Sequence, residues 1–337
     1  MKKAFITGIT GMVGSHMTDY LYKKTNWKIH GLYRWDEKLD NINHHIKNIN
    51  SERRISLHYG DLCDINSLIE IINKIKPDYV FHLAAQSFPK TSFIYPIQTL
   101  NVNIIGTANL LEAIKQANLK KTIIHVCSSS EVFGRVKKED LPINEEVQFH
   151  PASPYAISKV GTDLLGRFYA EAYGMKTITT RMFTHTGPRR SDVFAESTFA
   201  KQIAMIEKGY QKPVVYVGNL SSMRTIADVR DACDAYYKLV TINPIPGEFY
   251  NIGGNYTCTV GDILQKLLSL STKKNISIKI DKSRLRPIDA DLQIPNTAKF
   301  KKHTGWKPQY SFNKTMSDLL SYWRKQVLQN GNVFLNR

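Results

Sequence analysis

With 337 residues, 42% hydrophobic and 22% charged, the chain has the make-up of a globular protein with one large domain or two smaller ones. Its 46 basic and 29 acidic residues give a formal charge of +17. The lysines are spread along the chain without interleaved aromatics or a nucleic-acid-binding motif, which argues against a nucleic-acid partner and leaves a basic surface suited to an anionic small substrate. No apolar run approaches the roughly 18–20 residues of a membrane span, and four scattered cysteines without C-x-x-C spacing argue against a disulfide framework or a zinc site. A cytoplasmic protein without a metal is expected, with His44 and His45 read as a solvated pair in a polar stretch.

Apolar runs and helical patterns alternate through the first half. "KKAFITG" reads as a strand, "MVGSHMTDYLYKK" as a helix, "WKIHGLYR" and "RISLHYGDL" as the second and third strands, and "DINSLIEIINKI" as a helix. "PDYVFHLAA" is the fourth strand, "PIQTLNVNIIGTANLLEAIKQA" one long helix and "KTIIHVCSSS" the fifth strand. Strands alternating with helices of this length predict βαβ units around a parallel sheet, the α/β class with a Rossmann-type doubly wound core. Beyond about residue 185 the pattern loosens into helices ("STFAKQIAMIEKGY", "ADVRDACDAYYKLV", "NKTMSDLLSYWRKQVL") and short strands ("VVYVG", "GEFYNIGG"). This predicts a dinucleotide-binding domain over residues 1–185 and a smaller α/β substrate cap over 186–337, with segments interleaved.

In such a sheet, ligands bind beyond the carboxyl ends of the strands. "TGITGMVG" puts Gly8, Gly11 and Gly14 between the first strand and first helix, where backbone N–H groups can meet a pyrophosphate. At the end of the second strand, an acid reads the 2′-hydroxyl of NAD and an arginine the 2′-phosphate of NADP. "GLYRW" has Arg34 there, so NADP is expected ahead of NAD. Asp61 and Leu62 end the third strand where an adenine can lie, and Leu83, Ala84 and Ala85 end the fourth with small side chains.

"SPYAISK" holds Tyr155 and Lys159 one helical turn apart. A phenol with a pKa near about 10 is a poor base at neutral pH, but a neighbouring ammonium and a bound nicotinamide cation both favour its phenolate. "CSSSEVFG" places Ser129, Ser130 and Glu131 at the end of the fifth strand, where a plain oxidoreductase has no need of a carboxylate.

Together "TGITGMVG", "GDL", "HLAAQS", "SSSEVFG", "SPYAISK", "GPRR", "GNLSSMRTIADVRDA", "YNIGG" and "RPIDADLQIPNTAKFKKHTGWKP" resemble the extended short-chain dehydrogenase/reductases that act on nucleotide sugars. "SSSE" is most similar to the GDP-mannose 4,6-dehydratases, which carry serine where the deoxythymidine-linked enzymes carry aspartate. The resemblance implies catalytic roles for Ser129, Ser130, Glu131, Tyr155 and Lys159. It implies cofactor contacts from Thr7, Gly8, Gly11, Met12, Val13, Gly14, Arg34, Asp61, Leu62, Leu83, Ala84, Ala85, Tyr155 and Lys159. Substrate contacts fall on Gln86, Ser87, Thr184, Arg190, Lys201, Val217, Arg224 and Arg286. The implied substrate is a GDP-linked hexose (mannose, N-acetylglucosamine or heptose), and the implied assembly is a homodimer or homotetramer.

The chain departs from that pattern at Thr184, where the family has asparagine, and at Ser197 and Thr198, where it has an Arg-Lys pair. "FAKQIAMIEKG" and "MRTIADVRDA" are more similar to the companion GDP-4-keto-6-deoxy-sugar reductases. That reductase is the first alternative, and a UDP-glucuronate decarboxylase or C4 epimerase using NAD is the second. A non-catalytic Rossmann binding module has no use for Ser129, Tyr155 and Lys159 together.

Overall fold

The computed structural model describes residues 1–51 and 53–330 of the chain. Seven parallel strands form the main sheet, in the spatial order Phe249–Ile252, Lys176–Met182, Ile123–Cys127, Tyr79–His82, Lys3–Thr7, Lys28–Tyr33, Ile55–Tyr59. The chain runs outward from the first strand in one direction to Ile55–Tyr59, then returns to start the other half at Tyr79–His82. The strand order therefore reverses beside Lys3–Thr7, and the crevice of a doubly wound sheet opens at such a reversal.

Local chemistry sets the helices that flank it. Asp64 caps Ile65–Ile75 by accepting from Asn66 N–H, Leu68, Ile71, Ile72 and Ile75 face the sheet, and Lys76 ends the helix in the left-handed region. Pro154–Tyr173 starts on a Ser153 cap with Pro154 in the first turn and stops at Gly174, whose φ is +62°. The run 96–116 is helical throughout but not uniform: Pro96–Leu100 and Gly106–Gln116 are joined by a π-helical turn, Asn101–Ile105.

Two large apolar clusters flank the crevice. One packs the first strand and Met12–Lys24 against Val229–Thr241, Phe249–Ile252, Phe300 and Trp306. The second joins Ala195–Glu207, Val260–Ser269 and Phe312–Asn330 through Phe199, Leu264, Leu320 and Trp323. Small sheets complete this second body: Met223–Asp228 pairs with Tyr256–Thr259, Leu292–Gln293 and His185–Thr186, and Val214–Val217 pairs with Ser277–Ile280. Segments after residue 186 thus contribute to both bodies. No helix among the described residues is long and apolar enough to cross a membrane.

Candidate active site

A cleft of about 1220 Å³ runs between the two bodies, from the glycine-rich turn past the end of Ile123–Cys127 to the loop around Asp289. Its floor is built for close approach. Gly8 has φ +70°, and a Cβ there would lie 2.9 Å from the Ala84 Cα. A Cβ on Gly14 would fall on the Gly8 carbonyl, so only glycine lets the helix pack so tightly on the turn. Gly11 caps Met12–Lys24 without a side-chain hydrogen bond and no acid occupies the first turn, so free N–H groups face the cleft. This cradle fits the pyrophosphate of a dinucleotide.

Gly8, Gly11, Met12, Val13 and Gly14 line this end, as do Arg34, Asp61, Leu62, Leu83, Ala84 and Ala85. Thr7 lies one layer below. Its hydroxyl bonds the buried His82 ring at 2.9 Å and accepts from the Leu83 and Ala84 N–H groups, both at 3.1 Å. Thr7 therefore shapes the strand end without lining the cleft. Thr10, Glu37 and Asn41 line the corner around Arg34 and were not among the residues predicted there.

The middle of the cleft brings Ser129, Ser130, Glu131, Tyr155 and Lys159 together. Ser129 lies two residues past the fifth strand and caps the short turn Ser130–Val132, its Oγ accepting from Glu131 N–H at 3.2 Å. Lys159 Nζ donates to the Cys127 carbonyl at 2.7 Å, and Ser128 Oγ donates to the Lys159 carbonyl at 3.1 Å, so the strand end and the helix Pro154–Tyr173 are tied at two points. Burial raises the Tyr155 hydroxyl pKa well above its ordinary value, while a hydrogen bond from Ser129 and the Arg190 guanidinium pull it back. Burial lowers the Lys159 ammonium. With its pKa raised, the phenol stays protonated, and a further positive charge beside it is what would favour the phenolate. Among the described residues no ion pair takes the Glu131 carboxylate, which faces the same space.

Gln86 and Ser87 line the cleft after the fourth strand, where Asn103 of the π-helical turn accepts from Gln86 N–H at 2.8 Å and donates to Ser158 Oγ at 2.8 Å. Asn103 thus ties the helix Pro154–Tyr173 to the segment after the fourth strand. Thr184 and Arg190 line the cleft too. His185 beside them is pushed down to about 4 by burial and then by Arg190, so it is neutral at pH 7.

At the far end Arg224 and Arg286 converge on Asp289, at 3.7 and 3.5 Å. Arg224 Nη1 also donates to the Ala290 carbonyl at 2.7 Å, which fixes the guanidinium toward the cleft. Two expected substrate residues lie elsewhere. Val217 is fully buried in the second body's core with Val215, because the alternation of its strand turns both valines inward and Tyr216 outward. Lys201 pairs with Asp192 at 2.8 Å and is not among the residues lining the cleft, although Asp192 is.

The histidine pair also differs from expectation. His45 is buried, and both His44 and His45 meet one Asp19 oxygen, at 2.6 and 2.7 Å. The three side chains converge closely enough to hold a cation, but Arg189 already takes the other Asp19 oxygen at 2.8 Å and balances its charge. What the cluster does hold is the loop carrying Arg189 and Arg190, with His16 bonding the Pro188 carbonyl nearby at 3.1 Å.

Residues 5–319 match the family profile described as GDP-mannose 4,6 dehydratase. The chain belongs to this family. It is 33% identical over 324 residues to GDP-mannose 4,6 dehydratase 1 of Arabidopsis thaliana, covering 93% of this chain and 87% of that one. It is 29% identical over 327 residues to GDP-6-deoxy-D-mannose reductase of Pseudomonas aeruginosa, covering 97% and 98%. The solved structure of RMD from Pseudomonas aeruginosa complexed with NADPH superposes with a TM-score of 0.81 at 28% identity, covering 97% of this chain and all of that one. Family membership accounts for the doubly wound fold. The corner formed by Thr10, Glu37 and Asn41 carried no sequence signal beyond its place after the second strand.

Proposed function

We propose that the chain is a GDP-sugar 4,6-dehydratase that uses NADP and returns the hydride it takes. The observation that carries this reading is the presence of Glu131 in one cleft with Ser129, Tyr155 and Lys159, its carboxylate free of ion pairs among the described residues. A dinucleotide held at the glycine-rich turn would supply a hydride acceptor for C4 of the sugar and a hydride donor for C6. Tyr155 removes the C4 hydroxyl proton, with Ser129 holding the oxygen and Lys159 favouring the phenolate. The resulting ketone acidifies C5. Glu131 takes the C5 proton and, with Ser130, returns a proton to the C6 hydroxyl as it leaves as water, and C5 is reprotonated when hydride is delivered to C6. Arg224 and Arg286 match the fork geometry that a diphosphate requires.

The relation to the Pseudomonas reductase supports a second reading, NADPH-dependent reduction of a 4-keto sugar. Two incubations separate them, one of hexoses without reductant and one of a 4-keto sugar with NADPH. GDP-, UDP- and dTDP-hexoses are supplied without reductant, and mass spectrometry is expected to show loss of one water from a GDP-hexose with no net change in NADPH. Consumption of NADPH with a 4-keto substrate, and no water loss from any hexose, would sink the dehydratase reading.

We also infer a homo-oligomer. Ile94, Tyr95, Ile97 and Ile105 are exposed on the helical run after the fourth strand, and Ile157, Leu164 and Phe168 on the catalytic helix. Light scattering is expected to give at least twice the monomer mass, and Phe168→Asp with Leu164→Asp is expected to halve it. A monodisperse monomer would contradict this.

A further inference from the structure

At the glycine-rich end of the cleft, the second strand delivers two groups of opposite sign to one spot. Arg34 follows Lys28–Tyr33 directly, Glu37 lies three residues on, and both line the cleft beside Thr10. Glu37 is held from several sides. Its Oε2 accepts from Thr10 Oγ1 at 3.1 Å and from Arg34 N–H at 3.2 Å, and its Oε1 accepts from Arg34 Nε at 3.4 Å and Nη2 at 3.3 Å. Asn41 closes the corner by donating to the Thr10 carbonyl at 2.9 Å. The Glu37 side chain is 25% exposed, against 57% for Arg34.

In an open α/β sheet this strand end meets the adenosine ribose, where an acid accepts from a 2′-hydroxyl and an arginine neutralises a 2′-phosphate. This chain presents both. We propose that Glu37 is the specificity-determining residue of the dinucleotide site, competing with the 2′-phosphate for Arg34 and so narrowing the preference for NADP over NAD. The proposal rests on the dinucleotide reading of the cleft given above. Arg34 and Glu37 form a half-exposed pair, and separating such a pair costs little. The arginine is therefore available to a phosphate that carries close to two negative charges at neutral pH. The carboxylate remains, because Thr10 and the Arg34 amide hold it independently of the guanidinium. It repels the arriving phosphate and offers an acceptor to a hydroxyl.

Titration calorimetry with NADP⁺ and NAD⁺ tests this on the wild-type protein, Glu37→Gln and Arg34→Ala, each stripped of carried-over dinucleotide. Glutamine keeps an oxygen for Thr10 and the amide while removing the charge. Glu37→Gln is expected to tighten NADP⁺ binding roughly tenfold and leave NAD⁺ unchanged or weaker. Arg34→Ala is expected to weaken NADP⁺ by a similar factor and spare NAD⁺. A purely structural Glu37 would shift both dissociation constants by one factor, and that result, or an unchanged ratio, overturns the assignment. Wild-type protein that bound neither dinucleotide would instead overturn the reading of the cleft itself.

Discussion

Glu131→Gln is expected to suppress formation of dehydrated sugar by roughly 10²–10⁴-fold, the range for losing a positioned general base, while leaving the redox step at C4 in place. The expectation follows from the division of labour in the cleft. Tyr155, Ser129 and Lys159 are tied to the fifth strand and its helix by the Lys159–Cys127 and Ser128–Lys159 bonds, and none of these involves the Glu131 side chain. Glutamine is nearly isosteric, and the Glu131 N–H bond to Ser129 Oγ is a backbone contact that survives the change. With enzyme carrying one equivalent of bound NADP⁺, a hexose labelled with deuterium at C4 should therefore still pass its label to the cofactor in the variant, without loss of water. Tyr155→Phe should stop both. Undiminished water elimination by Glu131→Gln would remove the carboxylate from the mechanism, and simple redox chemistry at one carbon would then describe the site better.

Much of this site was legible because it is built from local signals. Gly8, Gly11 and Gly14 mark a turn by spacing, Tyr155 and Lys159 share a helix face by period, and Ser129–Glu131 end an apolar strand. The rest depends on contacts distant in sequence. Asn103 sits in a stretch that reads as uninterrupted helix, and only the π-helical turn shows how it reaches both Gln86 and Ser158. His45 looks solvated beside polar neighbours until Asp19, 26 residues earlier, turns out to bind it. Phe249–Ile252 follows a long excursion through the second body, yet completes the main sheet against Lys176–Met182. Val217 is the instructive exception. Its alternation with Val215 and Tyr216 was visible in "VVYVG" and pointed inward, but resemblance placed it at the substrate.

The buried pair Asp163–Arg181 left no trace in any pattern, and its rupture is expected to be the most destabilising single change in the chain. Asp163 lies on the helix that carries Tyr155 and Lys159, and Arg181 on the neighbouring strand Lys176–Met182. The contact is two-pronged, Nε to Oδ2 at 2.8 Å and Nη2 to Oδ1 at 3.0 Å, with side chains 1% and 0% exposed. Arg181 Nη1 donates to the Glu145 carbonyl at 2.7 Å, and its guanidinium lies 4.4 Å from the Phe249 ring centre and 4.6 Å from that of Phe149. Asp163→Ala strands a guanidinium that cannot shed its proton in an apolar box, and about 3–5 kcal/mol of stability should go with it. In a protein of this size that lowers the melting temperature by roughly 4–7 °C. The companion Asp163→Leu with Arg181→Met removes both charges and keeps the volume, so it should recover most of the loss. Scanning calorimetry on the single and double variants decides the matter. If the double variant melted as low as the single, the penalty would lie in packing of the catalytic helix and not in the unpaired charge.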